Sequence, residues 1–404
     1  MLPIERGLEI VMSTAKAKQR PDWMPAEFVL LLDSIHRILR EDVFCDADSP
    51  RFDKAIRDGF AVRFEDLAEI PAVLSIVGES RAGAGADVVV HPGQCCEIMT
   101  GAPLPAGADA VVMVENTQRV SPTSVRVLQA VRENEGLLRR AAEARKGDKI
   151  LEAGRRIGLA DLGLLASTGK STVLVSKKPR VAIIATGDEL VDVDQEPKSG
   201  QIRNSNTYTI CAQVKEAGAE PVILGIGRDN LDDLRSKIGQ GLEYDVLLVS
   251  GGVSMGKYDL VETVFAEFGI EILFDKIAMK PGKPTVFGHC RNTYVFGLPG
   301  NPISTMVAFH MFVRPLILFL LKAENTEPKI FEAKLEAAAK CDPQRAALVP
   351  AFVRFADGQY WIRTVPWKGS SDLVGLARAN ALIMIPRREG SLAAGDNAQF
   401  LLME

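Results

Sequence analysis

The sequence predicts a multidomain protein of the α/β plus β class, built around a central three-layer α/β domain with a mostly parallel sheet. Its 404 residues are too many for one ordinary hydrophobic core, so about two to four domains are expected. From residue 180 onward, strand-like apolar runs alternate with helical patterns, which is typical of a parallel sheet covered on both faces. Two other stretches, 51–144 and 326–404, hold short strand-like runs and predict smaller β domains.

The first 50 residues divide into a tail and a helix. Residues 1–20 are mixed in character and basic near their end, so we expect a frayed tail there. Apolar residues such as Phe28, Leu32 and Leu39 recur at helical spacing and predict a helix over 26–40. Much further along, residues 145–178 are expected to form an extended and helical connection.

The stretch 51–144 alternates short β-like runs with Gly and Pro, which predicts a small antiparallel β domain. Strands are expected at 72–77, 88–90, 95–99, 110–114 and 124–127.

The stretch 179–325 carries the α/β pattern. Strands are expected at 181–185, 222–226, 246–249, 270–276, 285–287 and 293–296. Helices are expected at 206–217, 231–242, 260–268 and 304–321. The stretch 326–404 then alternates apolar and polar residues and predicts a small β-barrel, with strands at 331–335, 351–355, 359–363 and 381–385.

Composition excludes several classes of protein. Lys and Arg total 48 against 52 Asp and Glu, a balance that argues against a general nucleic-acid binder. The apolar run 306–321 is interrupted by His310, Arg314 and Pro315, so a buried helix is expected and no membrane span. Six scattered cysteines and the lack of a secretory pattern indicate a reduced, cytoplasmic setting. Four histidines without zinc-site spacing favour a hard cation held by carboxylates.

Three glycine-punctuated turns, at 250–256, 280–284 and 297–302, carry the strongest functional signal. The first and third follow buried strands and lead toward helices. Glycine allows close approach of a ligand, and a helix start offers free N–H groups. Lys280 and Lys283, separated by a rigid Pro-Gly, add positive charge. The sequence therefore predicts a site for an anion, most simply a phosphorylated molecule, at the carboxyl edge of the sheet.

Three carboxylates, Glu189, Asp229 and Asp259, follow neighbouring predicted strands and are expected to converge at this edge. They could hold a metal ion that faces phosphates. The alternative is helix capping, especially for Asp229, which precedes a predicted helix at Leu231. For the motif at 186–190, spacing alone favours metal binding and helix capping about equally.

The motifs TGDEL at 186–190, SGGVS at 250–254, KPGKP at 280–284 and GLPGNP at 297–302 resemble those of the molybdopterin molybdenumtransferases, the MoeA proteins and the E domain of gephyrin. DGFAV at 58–62, MTGAP at 99–103, GSSD at 369–372 and Ala379-Asn380 are similar to signatures elsewhere in that family. The resemblance extends from about residue 30 to the end of the chain.

The resemblance implies an architecture and an activity. Residues 21–50 and 145–178 would form an elongated linker domain, with 51–144 inserted into it. The chain would be a transferase that inserts molybdate into adenylylated molybdopterin, with Mg²⁺-dependent release of AMP. It would be a cytoplasmic homodimer with shared active sites. The molybdopterin adenylyltransferase and molybdoenzyme acceptors are further implied partners.

The resemblance also implies roles for individual residues. Lys280, Lys283, Arg354 and Ser370 would form the molybdate pocket, and the metal would be held by Glu189, Asp229 and Asp259. The implied catalytic residues are Asp58, Thr100, Glu189, Asp229, Asp259 and Lys280. The implied substrate-binding residues are Arg139, Arg140, Ser250, Gly251, Gly252, Ser254, Lys276, Lys280, Lys283, Pro299, Gly300, Asn301, Pro302, Arg354 and Ser370.

This sequence departs from the family at three places. Arg57 precedes Asp58 and could pair with it; Asn230 replaces an aspartate; and Ala141-Ala142-Glu143 replaces Gly-Glu-Asp. These departures leave open a molybdopterin-binding paralogue that carries cofactor or acts as a scaffold. A generic nucleotide-binding protein would not explain the motifs outside 180–325.

Overall fold

A computed structural model describes residues 1–18, 25–83, 87–252 and 260–403. The chain begins with helix α1 (Ile4–Ala17), so the expectation of a frayed tail is wrong. Ile4, Val11 and Ala15 recur at helical spacing, and all three are buried in the core of the α/β domain. The backbone N–H of Leu2 donates to the carbonyl of Lys276 (3.1 Å), which attaches the first residues to that domain.

The helix predicted over 26–40 is also wrong. Strand β1 (Ala26–Leu30) is followed by a 3₁₀ turn (Leu31–Ser34) and by strand β2 (Val43–Phe44). The helical spacing of apolar residues was misleading because Phe28 and Leu32 are 69% and 76% exposed. Among the described residues, neither side chain is part of a buried core.

The inserted region forms a small β unit with short 3₁₀ turns at Phe64–Leu67 and Val114–Asn116. Its strands are β3 (Lys54–Ala55), β4 (Gly59–Val62), β5 (Ala72–Ser80), β6 (Gln94–Ile98), β7 (Ala110–Met113), β8 (Thr117–Ser121), β9 (Ser124–Val127) and β10 (Leu137–Leu138). Six of them form one sheet in the order β7-β4-β6-β5-β9-β8. The sheet is mixed rather than antiparallel, because β5 and β6 run parallel. The strand predicted at 88–90 is reduced to one bridge between Val89 and Ala106.

The chain then returns to the first strands through β11 (Lys149–Leu151), α2 (Leu159–Ser167) and β12 (Thr172–Ser176). Strand β12 pairs with β1, and β11 pairs with β2, both antiparallel. Leu39, Leu151 and Leu165 belong to the small core that these segments share. The two segments on either side of the inserted β unit therefore pack together.

The α/β region has β-α alternation close to the prediction. Its elements are β13 (Arg180–Thr186), β14 (Leu190–Val191), β15 (Ile202–Arg203), α3 (Asn206–Glu216), β16 (Glu220–Gly227), α4 (Leu231–Gly241), β17 (Val246–Ser250), α5 (Leu260–Glu267), β18 (Glu271–Phe274), β19 (Met279–Lys280), β20 (Val286–Cys290), β21 (Thr293–Leu298), α6 (Pro302–Ala308), a π-helical turn (Phe309–Val313) and α7 (Arg314–Leu320). The main sheet has the order β16-β13-β17-β21-β20-β18. Its first four strands are parallel, β20 runs antiparallel to both of its neighbours, and the edge strand β18 again runs in the direction of the first four.

Alternate side chains of the central strands enter two different cores. On β13, Ile183 belongs to the core that contains α1, α3, α6 and α7, whereas Ile184 belongs to the core with α4 and α5. The segment Pro302–Leu320 has a mean hydropathy of 1.8 and is long enough to cross a membrane, but 78% of it is buried inside the protein. It is the central helix of a core.

The C-terminal region contains a closed five-stranded barrel, which confirms the predicted β-barrel. Its elements are β22 (Phe331–Leu335), β23 (Ala339–Lys340), β24 (Ala346–Ala356), β25 (Gln359–Thr364), α8 (Leu373–Leu376), β26 (Ala381–Ile385), β27 (Ser391–Leu392) and β28 (Asn397–Leu402). The barrel closes in the order β24-β25-β22-β28-β26-β24. Strand β19 of the preceding region adds to its edge, because Met279 and Lys280 pair in parallel with Ala346 and Ala347.

Candidate functional site

A cavity of about 810 Å³ opens where the parallel strands β13, β16, β17 and β21 end. The carboxyl ends of parallel strands are where open α/β sheets bind ligands. Twelve of the residues predicted from the sequence lie in its wall: Glu189, Asp229, Ser250, Gly251, Gly252, Lys280, Lys283, Pro299, Gly300, Asn301, Pro302 and Ser370.

Two consecutive glycines let the loop after β17 cross directly over the end of β13. Gly251 and Gly252 have φ values of +94° and +64°. A Cβ atom on Gly251 would lie 2.6 Å from the Thr186 carbonyl oxygen, and one on Gly252 would lie 2.7 Å from Thr186 Oγ1. A side chain at either position would push the loop off the strand. The N–H of Gly251 donates to the Leu298 carbonyl (3.0 Å), so it belongs to the sheet and is not free for an anion.

Asn206, the first residue of α3, connects the two glycine loops, and it was not among the predicted site residues. Its Nδ2 donates to Ser250 Oγ (3.0 Å) and to the Gly300 carbonyl (2.8 Å). Its Oδ1 is buried without a hydrogen-bond partner in the described part of the chain, and so is Thr186 Oγ1. Buried polar atoms usually have partners, so these two can accept hydrogen bonds from a ligand. The polar run 203–206 before a helix was the signal that could have revealed Asn206.

The loop 280–284 is held in one shape, and both of its lysines line the cavity. The buried Thr285 hydroxyl donates to the Gly282 carbonyl (2.7 Å). Lys280 Nζ lies 3.7 Å from Asp342 Oδ2 at the edge of the barrel. Backbone hydrogen bonds from the turn after Asp342 are the main reason why the pKa of this carboxyl lies below its ordinary value. An ionised Asp342 therefore stands beside Lys280, while Lys283 forms no ion pair within the described residues.

Arg345 is a further cation in the cavity wall, and sequence reasoning missed it. Its Nη2 lies 3.8 Å from Asp342 Oδ2, the same carboxylate that faces Lys280. Arg354, predicted for this pocket, lies further along β24. Its Nε donates to Glu336 Oε1 (2.7 Å), and it is not part of the cavity wall. Arg345 directly precedes β24 and Arg354 lies within it. The local sequence therefore does not indicate which of the two arginines lines the cavity.

Ser370 reaches the cavity from the C-terminal region and is hydrogen-bonded to the start of α6. Asn301 Nδ2 donates to Ser370 Oγ (2.9 Å), and the N–H of Ile303 donates to the Ser370 carbonyl (3.0 Å). One N–H at this helix start is thus used within the protein, which reduces the anion-binding capacity that a helix start alone would predict. Trp367 and Gly369 also line the cavity and were not predicted.

The structure brings two of the three predicted carboxylates together and resolves the question of capping. Asn230, not Asp229, caps α4: its Oδ1 accepts from the Asp233 N–H (2.9 Å). Asp229 lines the cavity with Glu189, and Asp229 Oδ2 accepts a long hydrogen bond from the Asp188 N–H (3.4 Å). Asp259 and Ser254 lie outside the described residues. Within the described ranges, no three metal-binding side chains form a cluster.

Asp58 and Thr100 lie in the inserted β unit and outside this chain's cavity wall. Asp58 Oδ1 accepts hydrogen bonds from the Thr100 N–H (2.6 Å) and hydroxyl (2.8 Å). These bonds, the backbone one foremost, lower the pKa of Asp58, so it is ionised. Arg57 forms no ion pair with Asp58 among the described residues.

Arg139, Arg140 and Lys276 also lie outside the cavity wall. Arg139 Nη1 is 2.5 Å from Asp53 Oδ2, and Arg140 Nε is 2.5 Å from Asp48 Oδ2. The positive charges expected to meet a phosphate are therefore balanced locally in this chain. The carbonyl of Lys276 accepts the hydrogen bond from the second residue, beside α1.

Known proteins with similar sequences identify the family. The molybdopterin molybdenumtransferase of Bacillus subtilis is 36% identical over 385 residues, which are 93% of this chain and 90% of that protein. The protein of the same name from Staphylococcus aureus strain Mu50 is 32% identical over 416 residues, covering 100% of this chain and 96% of its own. The chain belongs to the MoeA family. The family resemblance predicted from the motifs is thereby confirmed, and the relatives' names are those of a transferase, as predicted.

Family models and solved structures agree with this assignment to MoeA. The MoeA N-terminal region (domain I and II) matches 2–169, a probable molybdopterin binding domain matches 182–318, and the MoeA C-terminal region (domain IV) matches 332–403. Two crystal structures of a molybdopterin biosynthesis MoeA protein from Pyrococcus horikoshii are similar in fold. One has a TM-score of 0.77 at 31% identity and covers 100% of this chain and 99% of its own; the other has a TM-score of 0.82 at 26% identity and covers 100% of both.

Proposed function

We propose that this chain inserts molybdate into adenylylated molybdopterin and releases AMP in a Mg²⁺-dependent step. The observation that carries the proposal is the cavity at the sheet edge, in which four cationic side chains meet two glycine loops and two carboxylates. The relatives' shared name, molybdopterin molybdenumtransferase, supports the same activity. The chain is thus proposed as an enzyme of molybdenum cofactor biosynthesis.

The cation cluster suits an oxyanion. Arg203, Lys280, Lys283 and Arg345 line the cavity, and Asp342 lies within 4 Å of Lys280 and Arg345. These four cations outnumber the nearby carboxylates of Glu189, Asp229 and Asp342, which favours a negatively charged ligand such as molybdate. Ammonium and guanidinium groups donate hydrogen bonds to its oxygens without reducing them. Ser370 supplies a hydroxyl on the same side.

The carboxylates fit a hard cation. Glu189 and Asp229 offer oxygen atoms, the ligands that Mg²⁺ prefers in proteins. Among the described residues, the one hydrogen bond to the Asp229 carboxylate is long, at 3.4 Å, which leaves its oxygens available for a metal. Glu189 and Asp229 would hold Mg²⁺, with Asp259 as a third candidate. When bound, the ion would neutralise charge on the phosphate oxygens of the adenylyl group.

The protein's contribution is placement and charge. In the proposed reaction the two dithiolene sulfurs bind molybdenum, and one molybdate oxygen leaves as water with the two thiol protons. A second water molecule cleaves the phosphoanhydride bond, so that AMP leaves and molybdopterin keeps its own phosphate. Thr186 Oγ1 and Asn206 Oδ1 accept hydrogen bonds from the bound substrate and orient it over the glycine loops. Lys280 and Lys283 hold molybdate against it. No protein nucleophile is needed, since proximity and electrostatic stabilisation supply the rate.

We also propose a cytoplasmic homodimer in which each cavity is completed by the partner's inserted β unit. Asp58 and Thr100 are absent from the cavity wall of their own chain, although the family motifs assign them to the site. Phe28, Leu30 and Leu32 expose 64% or more of their surface in one place on the chain, which favours an interface. An isologous dimer would bring the inserted unit of one subunit over the cavity of the other.

Subunit exchange tests the shared site. Asp58→Ala and Lys280→Ala homodimers should each be inactive. Their heterodimer contains one site with both residues intact, so activity should return. Heterodimers confirmed by native mass measurement but lacking activity would mean that each site is built within one chain or that Asp58 is not catalytic.

A carrier of finished cofactor is the second candidate. The observation that favours it is Glu143, the residue that replaces the family's aspartate: its Oε2 accepts a hydrogen bond from Ser49 Oγ (2.7 Å) and is thereby used within its own unit. A carrier would bind molybdopterin without cleaving the adenylyl group.

One assay separates the two candidates. Purified protein is incubated with adenylylated molybdopterin, molybdate and Mg²⁺, and AMP release is measured with formation of active cofactor. A transferase releases AMP in proportion to cofactor formed, and a carrier releases none. Lys280→Ala should abolish the signal, while Lys340→Ala, at an exposed lysine of the C-terminal region outside the cavity wall, should not.

A further inference from the structure

A second cavity of about 450 Å³ is lined by residues of α3, α6 and α8. Its volume is within the range of small-molecule sites, about 300–1,000 Å³. Apolar side chains form most of its wall: Met306, Phe331, Leu373, Leu376, Leu382 and Leu402. A mostly apolar cavity with a few polar groups is the usual composition of a ligand site.

This cavity is separate from the candidate active site, although the two share helices. Among the described residues, none lines both cavities. Pro302 and Ser304 of α6 face the first, whereas Met306, on the same helix, faces the second. The substrate proposed above therefore does not account for the second cavity.

Gln213 leaves one hydrogen-bonding atom in this wall unsatisfied. Its Nε2 donates to the Met306 carbonyl (3.3 Å), but its Oε1 is buried without a partner in the described part of the chain. A buried acceptor without a donor costs about 1–3 kcal/mol. A ligand that brings an N–H or O–H group would remove this cost.

A π-helical turn places His310 in the same wall. The turn spans Phe309–Val313, between α6 and α7, and such turns occur frequently at functional sites. Burial, assisted by the charge of Arg314, lowers the pKa of His310 to about 4, so its ring is neutral at pH 7. A neutral imidazole adds one donor and one acceptor to the wall and no charge.

The charged groups of the wall leave a positive balance. Arg314 and Lys329 contribute two positive charges, and Glu216 contributes one negative charge. With His310 neutral, the side chains of the described residues in the wall sum to one net positive charge. A ligand with a single negative charge balances it, whereas a neutral ligand leaves it unbalanced.

We propose that this second cavity binds a small amphipathic monoanion: an apolar body of one or two rings, one carboxylate, and one N–H or O–H group that donates to Gln213 Oε1. The six apolar side chains hold the rings, the net positive charge attracts the carboxylate, and the unsatisfied acceptor selects for the donor group.

Three probes of nearly equal size separate these contributions. Indole-3-acetate has the rings, the carboxylate and the N–H; naphthalene-1-acetate lacks the N–H; indole-3-acetamide lacks the charge. Titration of the full chain by calorimetry should show saturable 1:1 binding of indole-3-acetate, about threefold to tenfold tighter than either of the other two. Absence of binding at millimolar concentration, or equal affinity for all three, would overturn the proposal.

Two variants place the binding in this cavity. Gln213→Leu should remove the preference for indole-3-acetate over naphthalene-1-acetate, because both then meet an apolar wall. Ala377→Trp fills the mouth of the cavity from an exposed position and should abolish binding of every probe. Arg378→Trp, which adds the same ring to the next exposed residue outside the wall, should leave binding intact. Unchanged binding in Ala377→Trp would show that the probes bind elsewhere and would refute the assignment.

Discussion

Arg345 and Arg354 offer a matched pair for testing how the anion is held. Both belong to the C-terminal region, one just before β24 and one within it. Arg345 lines the cavity, and Arg354 is paired with Glu336 outside it. The change of each to Gln removes one positive charge and keeps most of the side-chain volume. We expect Arg345→Gln to weaken molybdate binding and Arg354→Gln to leave it nearly unchanged.

The size of the effect follows from the neighbours of each arginine. A hydrogen bond to a charged group contributes about 1.5–3 kcal/mol. Asp342 lies 3.8 Å from Arg345 and partly neutralises its charge. We therefore expect the loss of binding free energy in Arg345→Gln to lie at the lower end of this range, which corresponds to about a tenfold rise in the Kd for molybdate. The Arg354–Glu336 pair is 2.7 Å long but half exposed on the arginine side, so its loss should cost at most about 1 kcal/mol of folding stability.

Equilibrium molybdate binding to the purified full chain is the measurement, with thermal melts to show that both variants are folded. Arg345→Lys serves as the conservative control, since it restores the charge but not the planar donor geometry, and it should recover most of the affinity. A loss of affinity in Arg354→Gln equal to that in Arg345→Gln would refute the cavity as the molybdate site of this chain.

Three other perturbations test other parts of the structure. Glu189→Gln should lower Mg²⁺-dependent AMP release more than pterin binding; a normal Mg²⁺ titration would place the metal elsewhere. Burial and Arg314 lower the pKa of His310 from 6.5 to about 4, so the unfolded chain binds a proton that the folded chain does not. Stability should therefore fall by up to about 3 kcal/mol as pH drops from 6.5 to 4, and urea unfolding of His310→Gln should lack this slope. Gly252→Ala should destabilise the protein by at least about 1 kcal/mol more than Gly269→Ala, because both have positive φ but only the first meets atoms within 3 Å; equal melting temperatures would show that the loop can move.

The α/β region was predictable because its signals are local. Each strand is a short apolar run followed by Gly or a polar turn, and the helices have either an amphipathic repeat or, over 302–320, a long apolar run. The glycine loops could also be predicted from the sequence. Gly251 and Gly252 follow a buried strand, and a Cβ atom at either position would lie within 3 Å of Thr186. These features depend on neighbours in sequence, so a pattern is sufficient to place them.

The two errors at the N-terminus show where local pattern fails. Phe28 and Leu32 have helical spacing, yet β1 pairs with β12, whose residues lie more than a hundred positions away. The pairing is a long-range contact that no local pattern reveals. The apolar spacing that looked like a core face is instead exposed. In contrast, α1 was missed although Ile4, Val11 and Ala15 have helical spacing, because the prediction of a tail was based on the mixed composition and basic end of residues 1–20.

The C-terminal region contributes residues to the site. For this reason the cation cluster could be predicted only in part from the sequence. Lys280 is the last residue of β19, a two-residue strand that leaves the main sheet and pairs with β24. That pairing brings Lys280 and Arg345 to one carboxylate, Asp342, across a separation of more than sixty residues. The glycine loops depend on local backbone freedom and are visible in the sequence. The placement of the cations depends on the junction of two regions, so a change that loosens β19 from β24 should weaken anion binding even when every charged residue is retained.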